Sequence, residues 1–183
     1  IRDFAHAYGL GYTLLRYFNA SGADADGKFG EDHNPENHLI PLVLQVPLGK
    51  RDHIKVFGTD YPTPDGTCIR DYVHTSDLAS AHILAIQAMD ASTAEVYNIG
   101  TGNGYSVMQV INAAERVVGQ PIARVIEARR PGDPPALVAD PYKIKTQLGW
   151  TPAYAHIESI VESAWRWHKS NLHGYVTADI NRK

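Results

Sequence analysis

Two arginine-bearing segments carry the clearest chemistry in this chain. Arg70-Asp71-Tyr72 follows a turn-rich run and precedes a helix-forming one, and Arg129-Arg130-Pro131-Gly132-Asp133 lies in a polar stretch. A guanidinium fork can make two parallel charge-assisted hydrogen bonds at once, which suits phosphate oxygens. A carboxylate such as Asp133 only accepts hydrogen bonds, so it suits a ribose diol. Read alone, each cluster is more often a surface ion-pair network.

Three other patterns are weaker. Gly100-Thr101-Gly102-Asn103-Gly104 lies between a strand-like and a helix-like run, but its third glycine comes one place too early for a dinucleotide loop. A structural turn is the better reading. The nine histidines include no His-Glu-x-x-His, and His33 and His38 have no cysteine partner nearby, so no metal is expected. Ser21, His74 and Asp77 could form a hydrolase triad on paper, but no strand-turn-helix nucleophile elbow supports it.

The bulk properties narrow the field. The 183 residues suit one ordinary domain or two small ones, and 44% hydrophobic with 20% charged residues can bury a core. The net charge of -3 leaves no basic excess for a nucleic-acid backbone. A single cysteine, Cys68, excludes an internal disulfide and fits a cytoplasmic setting. No apolar run approaches the roughly 18 residues of a spanning helix, so no membrane association is expected.

The elements that must position these groups follow from periodicity. Ile1, Phe4, Ala5 and Tyr8 form a helical stripe stopped by Gly9. Because the chain opens on Ile1 with no cap before it, it is expected to begin inside a helix of a longer protein. Strands are expected at 12–18, 54–57, 71–74, 95–99 and 122–127, and a long loop at 19–37. Helices are expected from Leu39 towards Gly49, where Pro47 is awkward, and from Thr75 to about Met89, with Leu78, Ala81, His82 and Ala85 on one face. Ser106-Val107-Met108-Gln109 fits a capping box for a helix ending at Gly119. Asp140-Pro141 opens another that Gly149 stops. Ile157, Ile160, Val161, Ala164, Trp165 and His168 mark a last amphipathic helix, and the tail after Asn171 looks loose. Alternating strands and helices with long loops make an α/β or α+β domain whose loops form a site.

Several stretches resemble UDP-glucose 4-epimerases of the extended short-chain dehydrogenase/reductase group. They are Arg16 to Gly22, Gly30-Glu31-Asp32 through His38-Leu39-Ile40-Pro41, and the run from Phe57 to His74. Asn98-Ile99-Gly100, the Arg129 to Asp133 loop and Leu148-Gly149-Trp150 are also similar. The likeness extends to about Tyr175, and the Asp60 to Asp71 run is its most specific piece.

The resemblance implies a fold and a division of labour. The chain would be the C-terminal part of an NAD-binding Rossmann-type α/β enzyme, with the smaller α/β substrate-binding domain. Residues 1–18 and 70–119 would belong to the NAD-binding domain, 19–69 and 120–155 to the substrate domain, and 156–183 to a C-terminal helix and tail. NAD is the implied cofactor and a UDP-sugar the implied ligand, in a homodimeric, cytoplasmic enzyme. Phe18 would lie near the nicotinamide. Asn19, Arg70 and Arg130 would hold the diphosphate, and Asp133 the ribose. Lys55, Val56 and Phe57 would flank the uracil, and His38, Leu39 and Leu137 would contact the substrate. The family's Tyr-x-x-x-Lys pair and phosphate-binding glycine loop are expected before residue 1, since neither occurs here, so no catalytic residue is assigned.

Overall fold

The structure is a computed structural model that describes residues 1–175. The part of the expected tail beyond residue 175 lies outside the described residues. In chain order the elements are α1 (Arg2–Tyr8), β1 (Tyr12–Tyr17), β2 (Asn19–Ser21), α2 (Leu39–Gln45), β3 (Ile54–Phe57), β4 (Ile69–His74) and α3 (Thr75–Gln87). They continue with β5 (Ala94–Ile99), β6 (Gly104–Ser106), α4 (Val107–Val118), β7 (Arg124–Glu127), β8 (Ala136–Leu137), α5 (Tyr142–Leu148) and α6 (Ile157–Ser170).

The strands form three groups. β1 and β5 run parallel, from Tyr12 opposite Ala94 to Tyr17 opposite Ile99. β4 is the hub of a second sheet, parallel to β2 and β8 and antiparallel to β6. β3 and β7 form a parallel pair in which Phe57 faces Glu127. This is the expected mixed α/β architecture. β2, β6 and β8 are additions, each only two or three residues long. Their pairing partners lie far away in sequence, so no local alternation marks them.

Local signals set the helix ends. Gly9, Gly119 and Gly149 end α1, α4 and α5 in the left-handed conformation. The Ser106 hydroxyl accepts from the Gln109 amide at 3.0 Å while the Gln109 side chain accepts from the Ser106 amide at 2.8 Å. Pro41 is tolerated because it occupies the first turn of α2, where amides have no intrahelical partner. The helix stops at Gln45, earlier than expected, and Pro47 follows in a turn.

Two cores result. The larger joins α2, α4 and α6 over β3 and Tyr72, with Val43, Leu44, Val56, Val110, Ile111 and Ile160 fully enclosed. The smaller joins β4, β5, α3 and α5 around Val73, Ile99, Ile144 and Trp150. The span 70–119 is therefore divided in packing. α4 belongs to the large core, and β4 feeds both. On α3, Leu78, Ala81 and Ala85 are buried as expected, but His82 is exposed, its ring nitrogen 2.7 Å from the Leu78 carbonyl.

Asp71 holds the hub in place. Its buried carboxylate accepts from the Thr101 amide (3.0 Å) and hydroxyl (2.7 Å), the Gly102 amide (3.1 Å) and the Ala139 amide (3.2 Å). A buried charge is tolerable only when solvated in this way. The Gly100–Gly104 segment is therefore a structural turn wrapped on Asp71. A β-carbon at Gly100 would fall 2.4 Å from the carboxylate, which explains that glycine without a cofactor.

Candidate functional site

A cleft of about 410 Å³ opens between β2, β3, β4, the start of α2 and the loop after β7. That is within the ordinary range for a small-molecule site. Asn19, His38, Leu39, Lys55, Phe57, Arg70, Arg130 and Asp133 all line it. These residues come from five separate stretches of sequence, and the fold brings them together.

The arginines differ in their partners. Arg70 sits on β4, 15% exposed, and donates to the carbonyls of Ile69 at 2.7 Å and Pro134 at 3.0 Å and to the Asp133 carboxylate. Arg130 lies 4.1 Å over the Phe57 ring. Among the described residues its guanidinium has no acidic or hydrogen-bonding partner. An aromatic face holds a guanidinium without neutralising it, so its charge and donors stay available. Arg129, its neighbour, is instead committed to Asp60 at 2.6 Å.

The other expected residues are placed as follows. The Asn19 amide donates to the Asp71 carbonyl at 2.8 Å, which leaves its second N–H free for a ligand. Lys55 pairs with Glu127 at 3.2 Å on the exposed side of β3. His38 has Glu31 at 2.5 Å and Glu36 at 3.1 Å from its Nδ1. Burial, then repulsion from Glu36, raises the Glu31 carboxyl above its usual range, with His38 opposing. His33, Glu36 and His38 bring ligand atoms within 4.8 Å of one another, a grouping that their spacing does not reveal. The same Glu36 oxygen also accepts from the Asn37 and His38 amides, both at 2.8 Å.

Three of the expected residues lie outside the lining of this cleft. Val56 is fully buried in the large core, so its side chain cannot touch a ligand, because alternate strand residues face opposite ways. Leu137 lies on β8 opposite Arg70 but outside the cleft lining. Phe18 lines a second cavity of about 510 Å³, which shares Asn19 to Gly22, Glu31 and His38 with the first. Phe18 is half exposed and comes immediately after the C-terminal end of β1.

Sequence reading also missed residues that line the cleft. Arg51, Cys68, Trp167 and His168 are there. Burial pushes the Cys68 thiol up and the His168 imidazole down. The apolar stripe read for α6 ran through Trp165, whereas the buried tryptophan is Trp167, whose ring N–H donates to the Glu31 carbonyl at 3.1 Å, and nothing local placed it there. The Ser21-His74-Asp77 triad does not form. The Asp77 carboxylate accepts from the Ala153 and Tyr154 amides, and His74 Nε2 lies 3.0 Å from Ser163.

Comparison with known proteins now separates the readings. The profile of the family described as GDP-mannose 4,6 dehydratase matches residues 1–163. The chain belongs to that family. Within it, the chain is similar to UDP-glucose 4-epimerases. It is 51% identical to that of Halalkalibacterium halodurans over 179 residues, which are 97% of this chain and 53% of that protein. A crystal structure of a UDP-glucose 4-epimerase superposes with a TM-score of 0.91 at 47% identity, over 96% of this chain and 54% of that one. The Bifidobacterium longum enzyme, solved with NAD+ and UDP, superposes with 0.89 at 42% identity, over 95% and 52%. The resemblance and the fold class read from the sequence are borne out. The chain spans about half the length of the curated relatives it matches.

Proposed function

We propose that this chain is the nucleotide-sugar-binding part of a UDP-hexose 4-epimerase, which interconverts UDP-glucose and UDP-galactose. The observation that carries this reading is the Arg130 guanidinium, uncompensated among the described residues and sharing one cleft with Arg70. Two fixed forks can spread charge over adjacent phosphates, with the second Asn19 N–H beside them. Asp133 accepts from a ribose diol. Phe57 and the aliphatic stem of Lys55 flank a flat base.

NAD is the cofactor of this reading. In open α/β sheets ligands gather beyond the carboxyl ends of parallel strands, and Phe18 occupies that position after β1. Phe18 and the second cavity thus fit one wall of a nicotinamide site. NAD, when bound, accepts hydride from the sugar and returns it. The cavities share the Asn19–Gly22 wall, so a sugar joined to a diphosphate in the first would reach the second. The cleft residues anchor the nucleotide and leave the hexose free to turn. No tyrosine here has a lysine four positions later, so the acid–base step belongs to no residue of this chain. We assign residues 1–18 and the β4–β5 region to the NAD side, and 19–69 with 120–155 to the UDP side. A cytoplasmic homodimer completes the reading; among the described residues no helix is long and apolar enough to cross a membrane.

Calorimetric titration with UDP tests the proposal. Hydrogen bonds to charged groups contribute about 1.5–3 kcal/mol, so Arg70→Ala or Arg130→Ala should weaken binding about 10- to 150-fold. Unchanged affinity in either folded variant removes that arginine from the site. GDP binding more tightly than UDP would move the reading to the dehydratase of the family's description.

A further inference from the structure

The run from Asp60 to Asp71 is the most specific piece of the resemblance, yet only Cys68 and Arg70 of it line the cleft and no residue from Asp60 to Thr67 does. Its role is visible one layer back. Arg129 Nε donates to the Asp60 carboxylate at 2.6 Å, and its Nη2 donates to the Asp60 carbonyl. The same guanidinium lies 4.2 Å over the Tyr61 ring. Tyr61 is buried, and its hydroxyl has no partner among the described residues, so its ring face is what it contributes here. Gly58, at φ +81°, makes room for this stack: a β-carbon there would lie 2.6 Å from Arg129 and 2.7 Å from Tyr61.

The stack is anchored to the body of the fold. The Asp65 carboxylate accepts from the Thr67 amide (2.9 Å) and hydroxyl (2.7 Å) and from the Ser106 hydroxyl that caps α4. Burial alone would raise the Asp65 pKa, but these hydrogen bonds outweigh it and leave the carboxyl below its usual range. The Met108 amide adds a bond to the Thr67 hydroxyl at 3.3 Å. A continuous path therefore runs from the α4 N-terminus through the 60–67 loop to Arg129, the residue before Arg130.

Resting on the nucleotide-sugar reading above, we infer that Asp60, Tyr61 and Arg129 are positioning residues that hold the 128–133 loop so that Arg130 stays over Phe57, facing the cleft. An exposed ion pair contributes little to global stability, and Asp60 and Arg129 are 74% and 40% exposed. Their effect is instead on the ordering of the adjacent fork. Without them, binding must order that loop itself.

The test is calorimetric titration of the purified protein and its Arg129→Lys, Asp60→Ala and Asp60→Asn variants with UDP and with uridine. Arg129→Lys keeps the charge but loses the fork and the planar stack. Re-ordering one or two long side chains should weaken UDP about three- to tenfold in Arg129→Lys and Asp60→Ala, and leave uridine within about twofold. A merely electrostatic role predicts the opposite pattern: unchanged UDP affinity in Arg129→Lys and tighter UDP in Asp60→Ala. Either result overturns the inference, as does an equal loss for uridine and UDP. If Arg129→Lys or Asp60→Ala fails to fold, Asp60→Asn, a milder change at an exposed side chain, must show the selective UDP loss. Wild-type protein that binds no UDP removes both readings, whereas unaltered variants of a UDP-binding wild type remove only this one.

Discussion

Helices α4 and α1 carry apolar stripes of the same period but meet different surroundings. α4 buries Val110, Ile111, Ala113 and Ala114 between α2 and α6, on the side of the molecule that builds the cleft. α1 buries only Ala5, leaving Ile1 at 77%, Phe4 at 59% and Tyr8 at 68% exposed. α3 repeats the contrast on one helix, with Leu78, Ala81 and Ala85 inside and Ile83 and Ile86 outside. Periodicity states that a face is suited to burial, and only packing decides what covers it. The cleft side is therefore closed by its own core, while the face of α1 and the outer side of α3 are open.

The largest expected effect tests whether the open side lacks chemistry that the cleft needs. The 183-residue chain, given UDP-galactose and NAD, should show no turnover, because its sequence holds no Tyr-x-x-x-Lys pair. Epimerisation at an ordinary enzyme rate, about 1–1000 per second, would refute this.

Next comes the energetic contrast. Ile111→Ala in the closed core should cost about 2–5 kcal/mol, whereas Ile86→Ala on the open face should stay within about 0.5 kcal/mol. Urea melts of both variants measure this. Equal losses would mean that the α3 face is covered in solution.

A smaller effect tests how α4 is fixed. Ser106→Ala removes both the cap and the hydroxyl that Asp65 accepts from, so about 1–2 kcal/mol should be lost. The same melts should show it, and a loss below about 0.3 kcal/mol would assign α4's stability to packing alone.

The smallest effect concerns pH. His74 is fully buried, stacked on Tyr154 at 3.8 Å, with its Nδ1 accepting from the Ser76 amide at 3.1 Å. Its proton is therefore on Nε2 and donated to Ser163. Burial holds the imidazole below its ordinary value, with the nearby Asp77 charge opposing. The unfolded chain then binds the proton more readily. The contribution of His74 is complete above about pH 6.5 and is lost as pH falls from there through the folded value. His168, also lowered by burial, acts in the same direction, and Glu31, raised by burial, in the opposite one. The Tm of the wild type should fall from about pH 7.5 to about pH 5.5, and His74→Asn should flatten that slope without abolishing it. An unaltered slope would exclude His74 as its source.

Much of the fold was legible in the sequence because its signals are local. Gly9, Gly119 and Gly149 end helices as expected, and the Ser106–Gln109 box forms as its spacing predicts. The long runs of β1, β4 and β5 were visible, but β6 and β8 were not, since short strands exist only through their partner β4. In the site, residue types along β3 marked only a short strand, and the resemblance alone implied that it binds. The pleat then turned Lys55 and Phe57 towards the cleft and Val56 into the core.

Arg129 and Arg130 mark the boundary between the two kinds of information. The sequence determined that two guanidinium groups stand side by side in a polar loop, because residue type and charge are properties of the position itself. It contained no local difference between them. Tertiary structure assigned Arg129 to Asp60, 69 positions away, and laid Arg130 across Phe57 in the cleft without an acidic partner among the described residues. What a charged group can bind depends on which of its neighbours already neutralise it, and those neighbours arrive only when distant segments pack together.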